Sequence, residues 1–148
     1  FNWNYSKVPD PKGMVDHFHE NGIRLSANIK PCLLTDHPFY EELQDRKLFI
    51  QHKDTREADI SQFWDDTGSY IDFTNSEAID WWKSNVKKQL MEFGIDSTWN
   101  DNNEYEILDE RAIANGFGQK IPAHYIKPLL TLLMTKASYE AQKEFAPN

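Results

Sequence analysis

Hydrophobic and polar positions alternate along the chain in a pattern that predicts helices separated by short strands. Asp10 and Pro11 predict a helix start, because an aspartate suits the N-cap and proline suits the first helical position. Apolar residues follow at one-turn spacing, and the pair Asn21-Gly22 predicts the end of this helix. The stretch 23–29 begins with alternating apolar and polar residues. The first part of the chain is therefore predicted to be a helix that leads into a strand.

The middle of the chain contains one clear strand–helix–strand unit. A short strand is predicted at 70–73, and Asn75 or Ser76 predicts the start of a helix that Gly94 ends. Apolar residues recur every three or four positions in this helix, and the stretch 95–99 follows it as a strand. Such a unit builds parallel sheets with crossover helices, so we predict an α/β fold.

The remaining segments are less regular. A short helix is predicted at 38–45, and a polar connection at 51–58 is expected to be a surface loop. A polar loop is predicted at 100–120, and Pro122 then opens a last helical pattern whose true start is marked by Pro128. The chain is therefore predicted to hold three or four strands. A closed barrel of eight strands cannot be built from these residues alone.

Composition limits the classes of function. A chain of 148 residues with 39% hydrophobic residues can form a single domain with a core. Its net charge of -8 and the absence of a Lys/Arg cluster predict no nucleic-acid partner. No apolar run approaches the ~20 residues that a membrane span needs, so we predict no membrane partner. Cys32 is the only cysteine, which excludes a disulfide or a thiolate metal cluster within this chain.

The two ends of the chain suggest a piece of a larger protein. It begins at Phe1 rather than at Met, and it stops at Asn148 just after a helical pattern. We expect both ends to be cut from a longer chain. No signal-type segment leads these residues, and we therefore expect a cytoplasmic protein.

The strongest candidate for chemistry is Asp101, in the run Trp99–Glu104 that directly follows the strand predicted at 95–99. The carboxyl ends of strands are where active sites lie in α/β sheets. Neighbouring Asn side chains can donate hydrogen bonds that keep a carboxylate ionised and oriented. This suits a nucleophile that forms an ester with a sugar, or a metal ligand. A polar turn rich in Asn and Asp is the alternative.

Two tryptophans and a possible metal site are further candidates for function. Trp64 and Trp99 lie beside loops and acidic residues, where an aromatic ring can either stack on a sugar or pack in the structure. A calcium loop counted from Asp101 fails, because its sixth and twelfth positions hold Glu106 and Ala112 instead of Gly and Glu. A looser carboxylate metal site stays open. We assign no metal ligand, and no cofactor is predicted.

Several motifs together resemble glycoside hydrolase family 31, the family of α-glucosidases and α-xylosidases. The family's nucleophile motif is commonly Trp-x-Asp-Met-Asn-Glu, and residues 99–104 match it at four positions. Three further stretches agree in order and spacing, namely Pro9-Asp10-Pro11, Ile29-Lys30-Pro31, and Tyr70-Ile71-Asp72-Phe73-Thr74-Asn75 followed by Trp81-Trp82. The likeness therefore spans nearly the whole chain.

The resemblance implies a fold and a mechanism. Residues 1–148 are expected to form part of one catalytic (β/α)8 TIM barrel, roughly strands three to four, with parallel strands and crossover helices. The implied activity is that of a retaining α-glucosidase that removes terminal α-linked glucose from oligosaccharides. Its partners would be an oligosaccharide substrate and the remainder of the parent glycosidase chain. The family's general acid/base, an aspartate, would lie beyond Asn148, so we expect these residues alone to be inactive.

The resemblance also implies roles for single residues. Asp101 would be the catalytic nucleophile, and Trp99 and Trp64 would wall the sugar pocket. Three neighbours are expected to fix the rotamer of the nucleophile, namely Asn100, Asn103 and Glu104.

Two departures and two alternatives accompany this resemblance. Lys30 stands where many relatives have Asp or Asn, and Asn102 stands where Met is frequent. A non-catalytic carbohydrate-binding module would use the tryptophans without needing Asp101. A metal-dependent hydrolase would use the carboxylates as ligands and would lose activity to chelators.

Overall fold

The computed structural model of the protein describes residues 1–146. The α-helices are α1 (Pro11–Glu20), α2 (Tyr40–Asp45), α3 (Ser76–Asn85) and α4 (Lys127–Phe145). The strands are β1 (Ser26–Ile29), β2 (Cys32–Leu34), β3 (Gln51–His52), β4 (Ser61–Gln62), β5 (Thr67–Tyr70), β6 (Ser97–Asn100), β7 (Ala112–Ala114) and β8 (Ile121–Pro122). A π-helical turn (Val86–Leu90) and a 3-10 turn (Met91–Phe93) extend α3 toward β6.

The helix ends lie where capping chemistry predicts them. The Asp10 side chain accepts a hydrogen bond from the main-chain N–H of Gly13 at 2.9 Å, and Pro11 is the first residue of α1. Asn75 caps α3 in the same way. Gly94 has a φ of 92°, a left-handed conformation that glycine adopts without strain, and it ends the helical segment after α3. These predictions are confirmed.

The central feature of the fold is the parallel pair of β1 and β6. Ser26 is paired with Ser97 and Ile29 with Asn100, so the two strands are in register over their full length. Helix α3 lies between the two strands in sequence and packs against α4. The α/β class and the parallel strands are therefore confirmed.

The strand–helix–strand unit predicted at 70–99 does not form a parallel pair of its own. Strand β5, at the start of this unit, instead forms an antiparallel sheet with β2 and β4. The chain leaves the extended conformation after Tyr70, because the Asp72 carboxylate accepts hydrogen bonds from both the N–H and the O–H of Thr74 and closes a turn. The strand predicted at 70–73 overlaps β5 only at Tyr70, and the sequence pattern did not identify the partners of β5 or β6.

The predicted number of strands was also too low. Eight short strands lie within residues 1–146. Two of the missed ones are β7, which lies within the polar loop predicted at 100–120, and β8, which lies just beyond its end. They form a small antiparallel sheet with β3. All three residues of β7 are buried. Strands of two or three residues are too short to show an alternating pattern, so periodicity cannot detect them.

The polar connection at 51–58 is a tight hairpin. Gln51 is bridged to Ala58, and the N–H of His52 donates to the carbonyl of Glu57 at 2.9 Å. Asp59 follows this hairpin and is buried. Burial, reinforced by the nearby carboxylate of Asp109, raises the pKa of Asp59 to about 6. The hairpin therefore ends on an acidic group whose ionised form is disfavoured by its surroundings.

The main core lies on one face of the β1–β6 pair and under α3 and α4. Trp82 of α3 is fully buried, its ring meets Phe73 edge to face at 5.1 Å, and its indole N–H donates to the Ser138 hydroxyl at 2.9 Å. The opposite face of the pair is uncovered, and it carries Asn28 and Trp99, which lie side by side in the register. Among the helices of residues 1–146, none is long and apolar enough to cross a bilayer.

Replacing Trp82 tests the importance of this core. We expect Trp82→Ala to lower the free energy of unfolding by about 3–5 kcal/mol, because it removes a large buried ring and leaves a cavity. Leu132→Ala is the control on α4, where the side chain is 62% exposed, and it should change stability by less than about 0.5 kcal/mol. Chemical denaturation followed by circular dichroism measures both values. Equal losses for the two variants would contradict this description of the core.

The buried Asp59 predicts a pH dependence of stability. Its pKa in the folded protein, about 6, lies above its unfolded value, so the folded state holds the proton more tightly and stability falls as pH rises from about 4 to 6. We expect Asp59→Asn to remove this fall and to stabilise the protein at pH 7 by up to about 3 kcal/mol. Asp45→Asn makes the same charge change at an exposed position and should leave the pH dependence intact. Denaturation midpoints of wild type and both variants, measured from pH 4 to pH 8, test this prediction. A fall in stability that persists in Asp59→Asn would contradict it.

Candidate active site

Asp101 lies at the carboxyl end of β6, one residue beyond the paired strand. Its main-chain N–H donates to the carbonyl of Ile29 at 2.9 Å, so the hydrogen-bonded ladder with β1 extends to this residue. Side chains alternate between the two faces of a strand, which places Asp101 on the same uncovered face as Trp99. The position predicted for Asp101 from the sequence, at the end of a strand, is the position that it occupies.

Two side chains from β1 and its end hold the carboxylate of Asp101. The Asn28 amide and the Lys30 ammonium group each donate to its Oδ2 atom at 3.0 Å. Lys30 also donates to the Asn28 side-chain oxygen at 3.3 Å, which links the two donors. These hydrogen bonds, from Asn28 first and from Lys30 second, hold the pKa of the Asp101 carboxyl below its usual value. Asp101 is therefore ionised at neutral pH.

Sequence reasoning missed these two donors. It assigned the orientation of Asp101 to Asn100, Asn103 and Glu104, but in residues 1–146 none of these three side chains hydrogen-bonds to the carboxylate. The signal that identifies the true donors is the strand register, because Asn28 and Lys30 flank Ile29, whose carbonyl bonds to Asp101. That register is not visible in the sequence.

The three neighbours have other contacts. The side-chain oxygen of Asn100 accepts a hydrogen bond from the Ser138 hydroxyl at 2.9 Å, and the same hydroxyl accepts from Trp82. The main-chain carbonyl of Asn103 accepts from the Thr131 hydroxyl of α4. The buried side of this segment is therefore fastened to α4 while Asp101 faces outward. Their influence on Asp101 stays a prediction.

A cavity of about 740 Å³ is lined by residues that contact or flank Asp101, while Asp101 itself is not among the lining residues. Asn28 and Lys30 line it, as does Asn102, the residue after Asp101. Three carboxylate side chains also line it, namely Asp65, Glu104 and Glu106. The ionisable side chains around the cavity are therefore mainly acidic, with Lys30 as the one lysine or arginine among the described lining residues.

The two tryptophans expected to wall a sugar pocket lie in different places. Trp64 follows β4, lines the cavity and is 91% exposed, so its ring is available to a ligand. Trp99 is 61% exposed on the uncovered face of β6 and is not among the residues that line the cavity. The structure thus brings Trp64 to the cavity beside Asp101, and it leaves Trp99 outside the cavity wall.

The loop after Asp101 holds a strained conformation. Asn102 and Tyr105 have φ values of 47° and 55°, in the left-handed region that asparagine tolerates and that a tyrosine rarely adopts. Tyr105 is fully buried, its ring stacks on Tyr70 at 4.8 Å, and its hydroxyl donates to the carbonyl of Ile71 at 3.1 Å. These contacts stabilise the strained backbone and thereby fix the cavity wall next to the carboxylate.

His37 contributes a neutral ring to the cavity wall. Its Nδ1 atom accepts a hydrogen bond from the main-chain N–H of Phe39 at 3.1 Å, and burial lowers the pKa of His37 to about 4. The ring is therefore uncharged at neutral pH, with its remaining proton on Nε2. Within residues 1–146, no three His, Cys, Asp or Glu side chains converge as a metal site would require.

Comparisons with known proteins show what the chain is similar to. The chain matches a model of the glycosyl hydrolases family 31 TIM-barrel domain over residues 1–148. It is 29% identical over 128 residues to the alpha-xylosidase XylQ of Lactiplantibacillus pentosus. This match covers 84% of the present chain and 14% of XylQ. It is 30% identical over 109 residues to the lysosomal alpha-glucosidase of Mus musculus, and this match covers 70% of the present chain and 11% of the mouse protein.

A solved structure extends the comparison to the fold. A family 31 sulfoquinovosidase from E. rectale, in complex with an aza-sugar inhibitor, superposes with a TM-score of 0.80 at 25% identity. The match covers 92% of this chain and 20% of that one. These 148 residues therefore span between 11% and 20% of the length of the three proteins they resemble.

Proposed function

We infer the function from one premise, which is that the chain belongs to glycoside hydrolase family 31 and lies within its TIM-barrel domain. We propose that it is part of a retaining α-glucosidase that removes terminal α-linked glucose from oligosaccharides. One observation carries the proposal, namely that the ionised carboxylate of Asp101 lies at a strand end and is held by two side chains, Asn28 and Lys30, that line a cavity of about 740 Å³. In barrels of this kind, active sites lie at the carboxyl ends of the strands.

We propose that β1 and β6 correspond roughly to strands three and four of the barrel. Their parallel, in-register pairing supports this, because neighbouring barrel strands pair in this way. The uncovered face of the pair, which carries Asn28, Trp99 and Asp101, would then face the barrel interior. The exposure of Trp99 has a simple explanation under this proposal, since other barrel strands would close over it in the full-length enzyme.

In the proposed reaction, Asp101 attacks the anomeric carbon of the substrate. The bond to the leaving oxygen breaks as the ester between the sugar and Asp101 forms, and water then hydrolyses the ester with a second inversion. A nucleophile must be ionised to attack, and the hydrogen bonds from Asn28 and Lys30 favour that form. The result is net retention of configuration.

The reaction also needs a carboxylic acid that protonates the leaving oxygen and later activates water. Retaining enzymes hold this group about 5 Å from the nucleophile. We propose that it comes from the part of the parent enzyme that follows these residues, as the family resemblance implies. No cofactor enters the proposed mechanism, because both steps need only carboxyl groups and water.

The lining of the cavity supports a neutral sugar as the substrate. The three carboxylates at its wall, Asp65, Glu104 and Glu106, would repel an anionic substituent, and Lys30 is engaged with Asp101. The exposed ring of Trp64 offers an apolar face on which the C–H groups of a sugar can pack. These features favour a glucoside over a sugar that carries a sulfonate.

Trapping the covalent intermediate tests the proposed nucleophile. In the full-length enzyme, a fluorinated α-glucosyl fluoride should attach to Asp101, and mass spectrometry of the digested protein should find the label on that residue. Asp101→Asn should lower kcat on the order of 10⁴-fold or more, since an amide is a poor nucleophile. Asp65→Asn, which neutralises a carboxylate at the cavity wall, should still be labelled at Asp101. A label on any other residue of the wild-type enzyme would exclude Asp101 as the nucleophile.

A panel of substrates tests the proposed specificity. We expect kcat/KM to be highest for an aryl α-glucoside, lower for an α-xyloside that lacks the hydroxymethyl group, and lowest for an anionic α-sulfoquinovoside. EDTA should leave the rates unchanged, whereas a metal-dependent hydrolase would lose activity. A preference for the sulfoquinovoside would show that the acidic wall does not set specificity and would replace the glucosidase assignment.

A further inference from the structure

Among residues 1–146, Lys30 is the one cationic side chain that contacts Asp101. Its ammonium group lies 3.0 Å from the Oδ2 atom of the carboxylate. Pro31 follows directly, so the main chain at the end of β1 is stiff and the lysine is directed from a fixed point. The side chain of Lys30 is 42% exposed, and therefore the fold does not require it as a core residue.

The hydrogen bonds at Asp101 are distributed unevenly. Asn28 and Lys30 both donate to Oδ2, and among residues 1–146 no side chain donates to Oδ1. One oxygen of the carboxylate is therefore held from the β1 side while the other remains available to a reacting carbon. The donor pair also limits rotation of the side chain, because rotation would break both hydrogen bonds.

We propose that Lys30 is a positioning residue that fixes the rotamer of Asp101 and stabilises its carboxylate as the leaving group when the glycosyl ester is hydrolysed. This inference rests on the proposed role of Asp101 as the nucleophile. In that second step, water attacks the anomeric carbon and the bond between this carbon and the Asp101 oxygen breaks. The electron pair returns to Asp101, and the proton of water passes to the enzyme's general base, a second carboxylate. Lys30 keeps its proton throughout.

The charge of Lys30 favours the two half-reactions unequally. Ester formation removes the negative charge from Asp101, so it gives up the attraction to Lys30, whereas ester hydrolysis restores that attraction. The other charged side chains at the adjacent cavity are acidic, namely Asp65, Glu104 and Glu106. Lys30 is thus the one cationic side chain of the described residues that offsets them at the carboxylate.

The test compares three variants of the full-length enzyme. Lys30→Met removes the charge and keeps most of the stem, Lys30→Arg keeps the charge, and Lys88→Met makes the same change at an exposed position on the turn after α3. Each enzyme is first labelled with a fluorinated α-glucosyl fluoride. After the reagent is removed, the rate at which activity recovers in buffer measures ester hydrolysis. The acid limb of the pH profile of kcat/KM is measured separately on unlabelled enzyme.

We expect Lys30→Met to recover activity roughly tenfold more slowly than wild type, since it removes a hydrogen bond between two charged groups. The acid limb should move to higher pH, because Lys30 lowers the pKa of Asp101. Lys30→Arg should lie close to wild type, and Lys88→Met should match it. A residue with a merely structural role would change neither the recovery rate nor the acid limb.

Two outcomes would overturn the proposals, and they differ. If Asp101 is labelled in Lys30→Met and both the recovery rate and the acid limb equal those of wild type, the role of Lys30 is wrong while the nucleophile stands. If the wild-type label lies on another residue, the proposed nucleophile itself is wrong. Lys30→Gln, a smaller neutral replacement, should reproduce the result for Lys30→Met and thereby exclude an effect that is specific to methionine.

Discussion

The site depends on the register between β1 and β6. Because Ile29 is paired with Asn100 and its carbonyl receives the N–H of Asp101, the side chains of Asn28 and Lys30 come within hydrogen-bond distance of the carboxylate. A shift of one residue in either strand would turn Asp101 toward the helices, since side chains alternate between the faces of a sheet. The candidate chemistry is therefore a consequence of strand pairing rather than of residues 99–104 alone.

The covered face of the same strands explains how the register is kept. The Thr98 hydroxyl accepts a hydrogen bond from the Gln142 side chain of α4 at 3.1 Å, and Asn100 accepts from Ser138 one helical turn earlier. Ser138 in turn receives the indole N–H of Trp82 from α3. Polar side chains on the covered face of β6 thus hydrogen-bond to α4, and through Ser138 they are linked to α3. A shift in the strand register would leave these groups without hydrogen-bond partners.

The sequence predicted some parts of this structure well, and the reason is that those parts are determined locally. The start of α1 at Pro11, the cap of α3 at Asn75 and the helix end at Gly94 follow from capping and backbone preferences of single residues. The position of Asp101 at a strand end followed from the length of the preceding strand. Family resemblance added the barrel class, which the match over residues 1–148 confirms.

The parts that could not be predicted depend on contacts between distant segments. The pairing of β6 with β1 joins residues about seventy positions apart, and the same is true of the contact between Lys30 and Asp101. No periodicity in a single sequence encodes such a choice of partner. The strands β7 and β8 were missed for a different reason, because they are too short to show alternation and are stabilised by the sheet they join.

The loop from Asn102 to Tyr105 holds a left-handed backbone at both of these residues. At Asn102 this conformation turns the chain away from the strand directly after Asp101, and asparagine adopts it more readily than most residues with a side chain. Tyr105 has no such advantage, and its strained conformation persists because the ring is fully buried against Tyr70 and its hydroxyl is bonded to Ile71. The buried contacts of Tyr105 therefore stabilise the main-chain conformation beside the carboxylate. The aromatic packing behind the cavity and the charge pair in front of it are therefore parts of one arrangement that keeps Asp101 in place.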